Sequence, residues 1–469
     1  MYKRQIQNTL PQPEQDKLRK FLAKLAGGKT RVVFGSRSGE EWLKDATFKR
    51  NVYGLRGLDP EARTQLAERI LERHVPKRAA ALRLDKDFGR LMKVLAGYPL
   101  AMEVVLPNLK TQSPSEILVA LQAADIDLDV ESEDKTKSIL KCVEYSHSNL
   151  SESAQKLLLC LAPFSSFIDR AVIPNYAEEL QKLEPFRDYD FANFDGAIQE
   201  AMHWGLLEAM DESDRLLTIQ PVFPYFLKTK LASLDEVTRK ALQEGFKNHY
   251  QGLAGQYDRL MKSKDPQERQ IGIFFCRLEY ENLYNALQTC LANQESGLVF
   301  ILWGVLNTYL NLIKDASQKL KLAQNVYFEM KAYPVSLKSL ELNLSILGLA
   351  DTLASNYLGL QDYSEARRVY LDNLEIIQAL TDIPDQSKQS LIAGTYHQLG
   401  RVAQELREYA EARQNYQQAL AIFIEFGDRY SQASTYHQLG RVAEELREYA
   451  EARQNYQQAL AIKIEFGDR

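Results

Sequence analysis

The first residues with the makings of a chemical site are Gly28-Lys29-Thr30, inside the stretch Leu25–Trp42, LAGGKTRVVFGSRSGEEW. A Lys followed by a hydroxyl residue can hold terminal phosphates and Mg2+, provided glycines let the backbone N–H groups turn toward the anion in the spacing GxxxxGK[ST]. Ala23 stands where the first glycine is needed. The surroundings are also reversed, because such a loop leaves a strand and opens a helix whose N-terminus faces the phosphate. Leu18, Phe21, Leu22 and Leu25 predict a helix before the motif, and Arg31–Phe34 predicts a strand after it. Gly27 and Gly28 then read as the stop of that helix. A second motif overlaps: Gly35-Ser36-Arg37-Ser38-Gly39 imitates a nucleophile elbow, but its centre is Arg37 instead of Ser, so no acyl chemistry follows. A reading with Lys29, Thr30 and Arg37 as phosphate ligands of an active ATP-binding hydrolase stays as an alternative.

Whatever positions such residues must be built from 469 residues, 45% hydrophobic and 26% charged, an ordinary globular composition with length for about three domains. A net charge of −5 gives no general attraction to phosphate backbones or membrane surfaces, so neither nucleic acid nor membrane is an expected partner. Cys142, Cys160, Cys276 and Cys290 have no CxxC pairing and no His at ligand spacing, which argues against zinc and against a disulfide framework. No metal site is expected. The N-terminus lacks an apolar signal run. The longest apolar run, Leu298–Leu306, is shorter than the ~20 residues of a membrane span and predicts a buried helix. The expected location is cytoplasmic.

The strongest organisation is a repeat. Thr395–Arg429 and Thr435–Arg469 differ only at Gln404/Glu444 and Phe423/Lys463, at a period of 40. Within a unit, Tyr396, Leu399, Gly400, Ala403 and Leu406 keep helical spacing. After a break at Arg407-Glu408, so do Tyr409, Ala412, Tyr416, Ala419 and Leu420. The unit is a helical hairpin whose small residues allow close backbone approach. These positions resemble the tetratricopeptide repeat in a lengthened form, and a divergent copy runs through Leu353, Ala354, Leu360, Tyr363, Ala366 and Tyr370. A hairpin of this kind needs neighbours to bury its face. Phe466-Gly467-Asp468-Arg469 runs on into another unit in the preceding copy, so the present end is expected to be a cut within a longer array.

Between these ends the grammar changes. Ser151 caps a predicted helix on which Ala154, Leu157, Leu158 and Leu161 share a face, and Pro163 ends it. A helix over Ala197–His203, a hairpin turning at Asp211–Asp214 into the strand Leu216–Ile219, and a helix from Pro221 predict a winged helix over roughly Ser138–Leu231. The helix before the hairpin, FDGAIQEAMHW, carries acids and no Lys or Arg, so it would repel DNA.

Taken in order, these segments resemble the distal half of a STAND-class signalling ATPase of the NB-ARC type. Val32-Val33-Phe34-Gly35-Ser36-Arg37 resembles the family's sensor strand, with Gly35 where Thr is usual, and the resemblance puts Arg37 near the terminal phosphate. Leu55, Leu58, Glu61 and Ala62 resemble the opening of the helical subdomain. Leu95-Ala96-Gly97-Tyr98-Pro99-Leu100-Ala101 resembles the Gly-Leu-Pro-Leu-Ala motif, with Tyr98 for Leu, and implies that Pro99 packs against adenine. Leu217-Thr218-Ile219-Gln220-Pro221 aligns with a segment where a His reads the ADP phosphate, and Gln220 takes that place. Glu279-Tyr280-Glu281-Asn282-Leu283 with Ala286-Leu287 resembles the helix leading into C-terminal repeats. The family's phosphate loop and acidic Mg2+ strand lie upstream of the sensor strand, and this chain lacks them. ATP hydrolysis by this chain is therefore not expected; ATP or ADP and Mg2+ are implied only for a longer parent protein, as is homo-oligomeric assembly.

The expected fold is mainly α: a remnant of a P-loop α/β domain (1–54), a helical subdomain (55–132), a winged helix (133–232), a helical linker or degenerate repeats (233–335) and an α-solenoid of tetratricopeptide repeats (336–469). The expected function is an interaction and regulatory module, the sensor part of a nucleotide-switched ATPase; a pure repeat scaffold with a decayed ATPase half is the other alternative. By the resemblance, the first helix of each hairpin lines a groove for a protein or peptide. It places His397, Gln398, Arg401, Gln404 and Glu405 there, with His437, Gln438, Arg441, Glu444 and Glu445 in the next unit. Spacing of four puts His397, Arg401 and Glu405 on one stripe, where Arg401 and Glu405 can pair.

Overall fold

The computed structural model describes residues 58–466, apart from 96, 124–134, 166, 221 and 382, together with Asp16, Lys17, Lys20, Phe21 and Lys24, which are helical. The described chain falls into two compact units: 1–159 with 192–210 and 218–229, and 160–191 with 211–217 and 230–469.

The first unit holds α1 (Pro60–His74), α2 (Ala79–Arg83), α3 (Lys86–Val94), α4 (Pro99–Val105), α5 (Pro114–Ala123), α6 (Lys135–Ser148) and α7 (Glu152–Leu158). Their starts are written in the sequence. Asp59 accepts from the Ala62 N–H and Pro60 takes the first turn of α1, Asp85 caps α3, and Ser151 caps α7. Leu71, Leu91, Leu95, Met102, Leu109, Ile117 and Leu121 interlock as one core, all fully or almost fully buried. Gly97 sits at φ +73°, and a Cβ there would lie 2.6 Å from the Leu58 carbonyl oxygen; the Leu58 N–H in turn donates to the Gly97 carbonyl at 2.7 Å. That turn aims Pro99 into the first position of α4.

Downstream lie β1 (Phe167–Asp169), α8 (Ile173–Gln181), α9 (Phe194–His203), β2 (Leu207–Ala209), β3 (Leu216–Ile219) and α10 (Phe223–Ala232). The sheet order is β1-β3-β2. In the first unit, β2 pairs with the end of β3, and the Gln220 N–H donates to the Leu206 carbonyl at 3.3 Å. In the second, the residues at the start of β3 meet β1, where Arg215 grips the buried Asp169 through both Nε (2.9 Å) and Nη2 (2.8 Å). Strand β1 is absent from the sequence expectation; with three residues it is too short to show an alternation.

The second unit continues as an unbroken run of helices: α11 (Glu236–Met261), α12 (Pro266–Leu278), α13 (Tyr280–Ala292), α14 (Ser296–Leu312), α15 (Ala316–Lys331), α16 (Leu340–Gly359), α17 (Tyr363–Ala379), α18 (Asp385–Glu405), α19 (Tyr409–Glu425), α20 (Arg429–Glu445) and α21 (Tyr449–Glu465). The apolar run at Leu298–Leu306 is the middle of α14, with Val299, Leu302, Val305 and Leu306 buried; no helix among the described residues is long and apolar enough to cross a membrane.

One turn recurs along this run. Gln294, Lys314, Gln361, Arg407 and Arg447 each take φ between 57° and 62°. The acidic residue that follows each of them, Glu295, Asp315, Asp362, Glu408 or Glu448, donates its N–H to a carbonyl five residues back at 2.8–3.1 Å. This is the Schellman geometry, with a left-handed residue closing one helix before an acid opens the next. The hairpins between 280 and 331 therefore turn as those of the sequence repeats do. At the head of the unit, Asn282 is fully buried: its Oδ1 accepts from the Ser165 N–H at 2.8 Å, and its Nδ2 donates to the Phe167 carbonyl at 2.9 Å and to Glu279 Oε2 at 2.7 Å.

Candidate partner surface and nucleotide-proximal residues

Lys29, Thr30 and Arg37 lie outside the described residues, so the phosphate-ligand set cannot be assembled. Pro99 is exposed at the N-terminus of α4. Gln220 is 8% exposed, at the end of β3. Cys142, Cys160, Cys276 and Cys290 are all buried and none forms a disulfide, and burial pushes the thiols of Cys142, Cys276 and Cys290 up to about 12. Among the described residues no group of His, Cys, Asp and Glu could hold a metal ion.

The repeat surface is built by α18 and α20, the first helices of two successive hairpins, which also touch each other directly. Gly400 and Gly440 set the hairpin spacing. A Cβ on Gly400 would come within 2.7 Å of the Tyr416 ring, and one on Gly440 within 2.6 Å of the Tyr456 ring. Tyr416 then reaches across to donate to Gln404 Oε1 at 3.0 Å, and Tyr456 to Glu444 Oε2 at 2.8 Å.

The expected groove residues divide into two groups. His397 is a joint between units: its ring meets Tyr416 edge-on with centroids 5.3 Å apart, and its Nδ1 lies 3.0 Å from Thr435 Oγ1 on the next inner helix. Burial, aided by the nearby Arg401 charge, pushes His397 down to about 4, so the ring is neutral at neutral pH. His437 holds the same position against Tyr456 but is exposed. It is lowered by burial and by the charges of Lys463 and Arg441.

Arg401, Glu405, Arg441 and Glu445 form the second group and stand in solvent. Arg401 donates to Gln398 Oε1 at 2.9 Å instead of pairing with Glu405, and Arg441 donates to Gln438 Oε1 at 3.4 Å. Among the described residues none of these four charges enters an ion pair. A cleft of about 250 Å3 opens at His437 and Gln438, lined also by Tyr430, Ser434, Lys463 and Phe466 among others. Nothing in the spacing marked Lys463 and Phe466, on the outer helix and its end, as neighbours of His437; only the crossing of α20 and α21 brings them there.

Solved structures that match the chain include BtubC (BKLC) from P. vanneervenii, 17% identical over 47% of this chain and 74% of that one, with a TM-score of 0.31. A Signal Transduction ATPase with Numerous Domains (STAND) protein with a tetratricopeptide repeat sensor from Pyrococcus horikoshii is 17% identical over 87% of this chain and 60% of that one, with a TM-score of 0.30. The apo form of RapI is 15% identical over 63% of this chain and 77% of that one, with a TM-score of 0.31. None of the curated proteins matches the chain. The Tetratricopeptide repeat family matches residues 391–465, which span the hairpins α18–α19 and α20–α21, and this part of the chain is a tetratricopeptide repeat array.

Proposed function

We propose that this chain is a protein-protein interaction and regulatory module, the sensor part of a nucleotide-switched signal-transduction ATPase of the STAND and NB-ARC type. Its repeats take a protein or peptide on the inner helices. The observation that carries this reading is the recurrence, forty residues apart, of the exposed pairs Arg401/Glu405 and Arg441/Glu445, whose charges serve no ion pair within the described fold. Exposed charges in register on successive helices orient a partner more than they stabilise a monomer. The ATPase half of the reading is supported by the glycine turn at Gly97 that starts a helix at Pro99, and by the order α9, β2, β3, α10, which suits a winged helix. Hydrolysis by this chain is not expected, because Ala23 stands where GxxxxGK[ST] needs its first glycine. In a longer parent protein carrying the phosphate loop, a partner on the repeats would act by binding one nucleotide state better than the other.

Cross-linking the full chain in cell extract, followed by mass spectrometry, is expected to place partner cross-links on α18 and α20. They should be lost in Arg401→Glu/Arg441→Glu at unchanged melting temperature; equal capture by the variant counts against the groove. Calorimetric titration with Mg-ATP is expected to be silent. Micromolar binding abolished by Lys29→Ala would replace this reading with that of an active hydrolase.

A further inference from the structure

The inner helices α16, α18 and α20 each run into a left-handed residue, Gln361, Arg407 or Arg447, and can be laid over one another on it. Ten residues before these turns stand Asp351, His397 and His437; six before them stand Ser355, Arg401 and Arg441. Both histidines are held below their usual range, first of all by burial, and are uncharged at neutral pH. At these matched positions α16 therefore brings one negative charge, while α18 and α20 bring one positive charge each.

Asp351 is open to solvent and, among the described residues, enters no ion pair. Burial nevertheless holds its carboxyl above the usual range. A side chain that water reaches and that neighbouring helices still desolvate lies in a concave surface, where a counter-charge is felt more strongly than on an open one. Two buried tyrosines of the outer helices, Tyr370 of α17 and Tyr416 of α19, each nine residues after its turn, sample the floor of that surface at matched points. Burial raises both hydroxyls. After burial, Tyr370 responds most to the charge of Asp351, with Arg401 acting last and in the opposite sense. Tyr416 responds to Arg401 and then to Arg441, both ahead of Glu405. The field along the floor thus changes sign from one hairpin to the next. Glu405, Glu444 and Glu445 stand in the last turns of α18 and α20, about 5 Å farther along the helix axes.

We propose that the groove takes an extended segment of a partner protein laid across the inner helices, with a base over Asp351 of α16 and acids over Arg401 of α18 and Arg441 of α20. This rests on the inner helices being the partner surface, and it adds the chemistry and the direction of what lies there. Helices that touch, as α18 and α20 do, run about 8–10 Å apart. An extended chain advances about 3.3 Å per residue, so its charges recur about three residues apart. A wholly acidic segment is opposed by Asp351 and a wholly basic one by the two arginines, so the charge order selects the segment and fixes which of its ends lies on α16.

The test pans the biotinylated full chain against displayed random peptides of about twelve residues, long enough to cross three helices. Enriched peptides are expected to carry a Lys or Arg with an Asp or Glu about three residues away. One of them, resynthesised with fluorescein, should bind about tenfold more weakly to Asp351→Lys and to Arg401→Glu, with circular dichroism showing both variants folded. Exchanging the peptide's base for Glu should restore binding to Asp351→Lys alone, and exchanging its acid for Lys should restore binding to Arg401→Glu alone. Peptides weakened by Arg401→Glu and indifferent to Asp351→Lys overturn the charge order and leave the groove as a partner surface. Peptides indifferent to both variants, or no enrichment over bare streptavidin, overturn the charge order and the groove together.

Discussion

Glu279 is 1% exposed at the junction of α12 and α13, and only one of its oxygens is served: Oε2 accepts from Tyr250 at 2.8 Å and from Asn282, while Oε1 has no partner. Burial pushes this carboxyl up to about 7, against the pull of those two hydrogen bonds and with the help of the Asp169 charge. Unfolded, it titrates near 4.5. The folded state therefore holds an extra proton between about 4.5 and about 7, and its stability falls as pH rises through that window. Glu279→Gln is expected to flatten this slope and raise the melting temperature at pH 8, as thermal melts at pH 5 and pH 8 would show. His397 works in the opposite sense, since its folded value of about 4 lies below the usual 6.5. The stability it contributes is complete above 6.5 and is lost as pH falls through 4. His397→Gln should lessen acid sensitivity in that range at a cost of about 1 kcal/mol for the Thr435 contact. Sequence spacing put His397 on a partner-facing stripe. Its role as a joint was not legible, because the contacts that desolvate it come from Tyr416 and from a helix 38 residues away.

At the scale of elements, the two near-identical hairpins act as an internal control. Gly400 presses on Tyr416, which is fully buried, whereas Gly440 presses on Tyr456, which is half-exposed and free to give way. Gly400→Ala is expected to destabilise by about 1–3 kcal/mol through overpacking, and Gly440→Ala by clearly less; chemical denaturation of the two variants side by side checks the ordering. Phe423→Lys, which gives α19 the sequence of α21, should cost about 3 kcal/mol or more. Phe423 packs with Ala393 of α18 and with Ala419, while Lys463 stands in solvent. The repeat period, the Ser151 cap and the break at Arg407-Glu408 were readable beforehand. The same turn at Gln294 and Lys314 was not, because its mark is a left-handed backbone angle followed by an acid, and the side chains around it differ.

Across the whole molecule, most helices of the second unit touch chiefly their neighbours in sequence, as expected where each hairpin needs only the next one to bury its face. Asn282 is an exception. Its hydrogen bonds to Ser165 and Phe167 join residues more than 110 positions apart, and no periodicity announces such a contact. Asn282→Ala leaves a buried N–H and a buried carbonyl unserved, so a loss of about 3 kcal/mol is expected. Hydrogen exchange should show it as weakened protection of β1 together with α13, and an effect confined to α13 would argue against the clamp.

The sequence by itself determined the repeat, the helical hairpins, the break at Arg407-Glu408, and the segment that forms β2 and β3. Each of these depends on residues within one or two helical turns, or on a copy of the same pattern forty residues on. Tertiary structure decided which charges are spent and which are free. Arg413 and Arg453 occupy the same place in the same motif, and so do Phe423 and Lys463. Only packing tells them apart, because a side chain's ion pairs and exposure depend on the helix that covers it: α20 packs on α19, and among the described residues no helix packs on the matching face of α21.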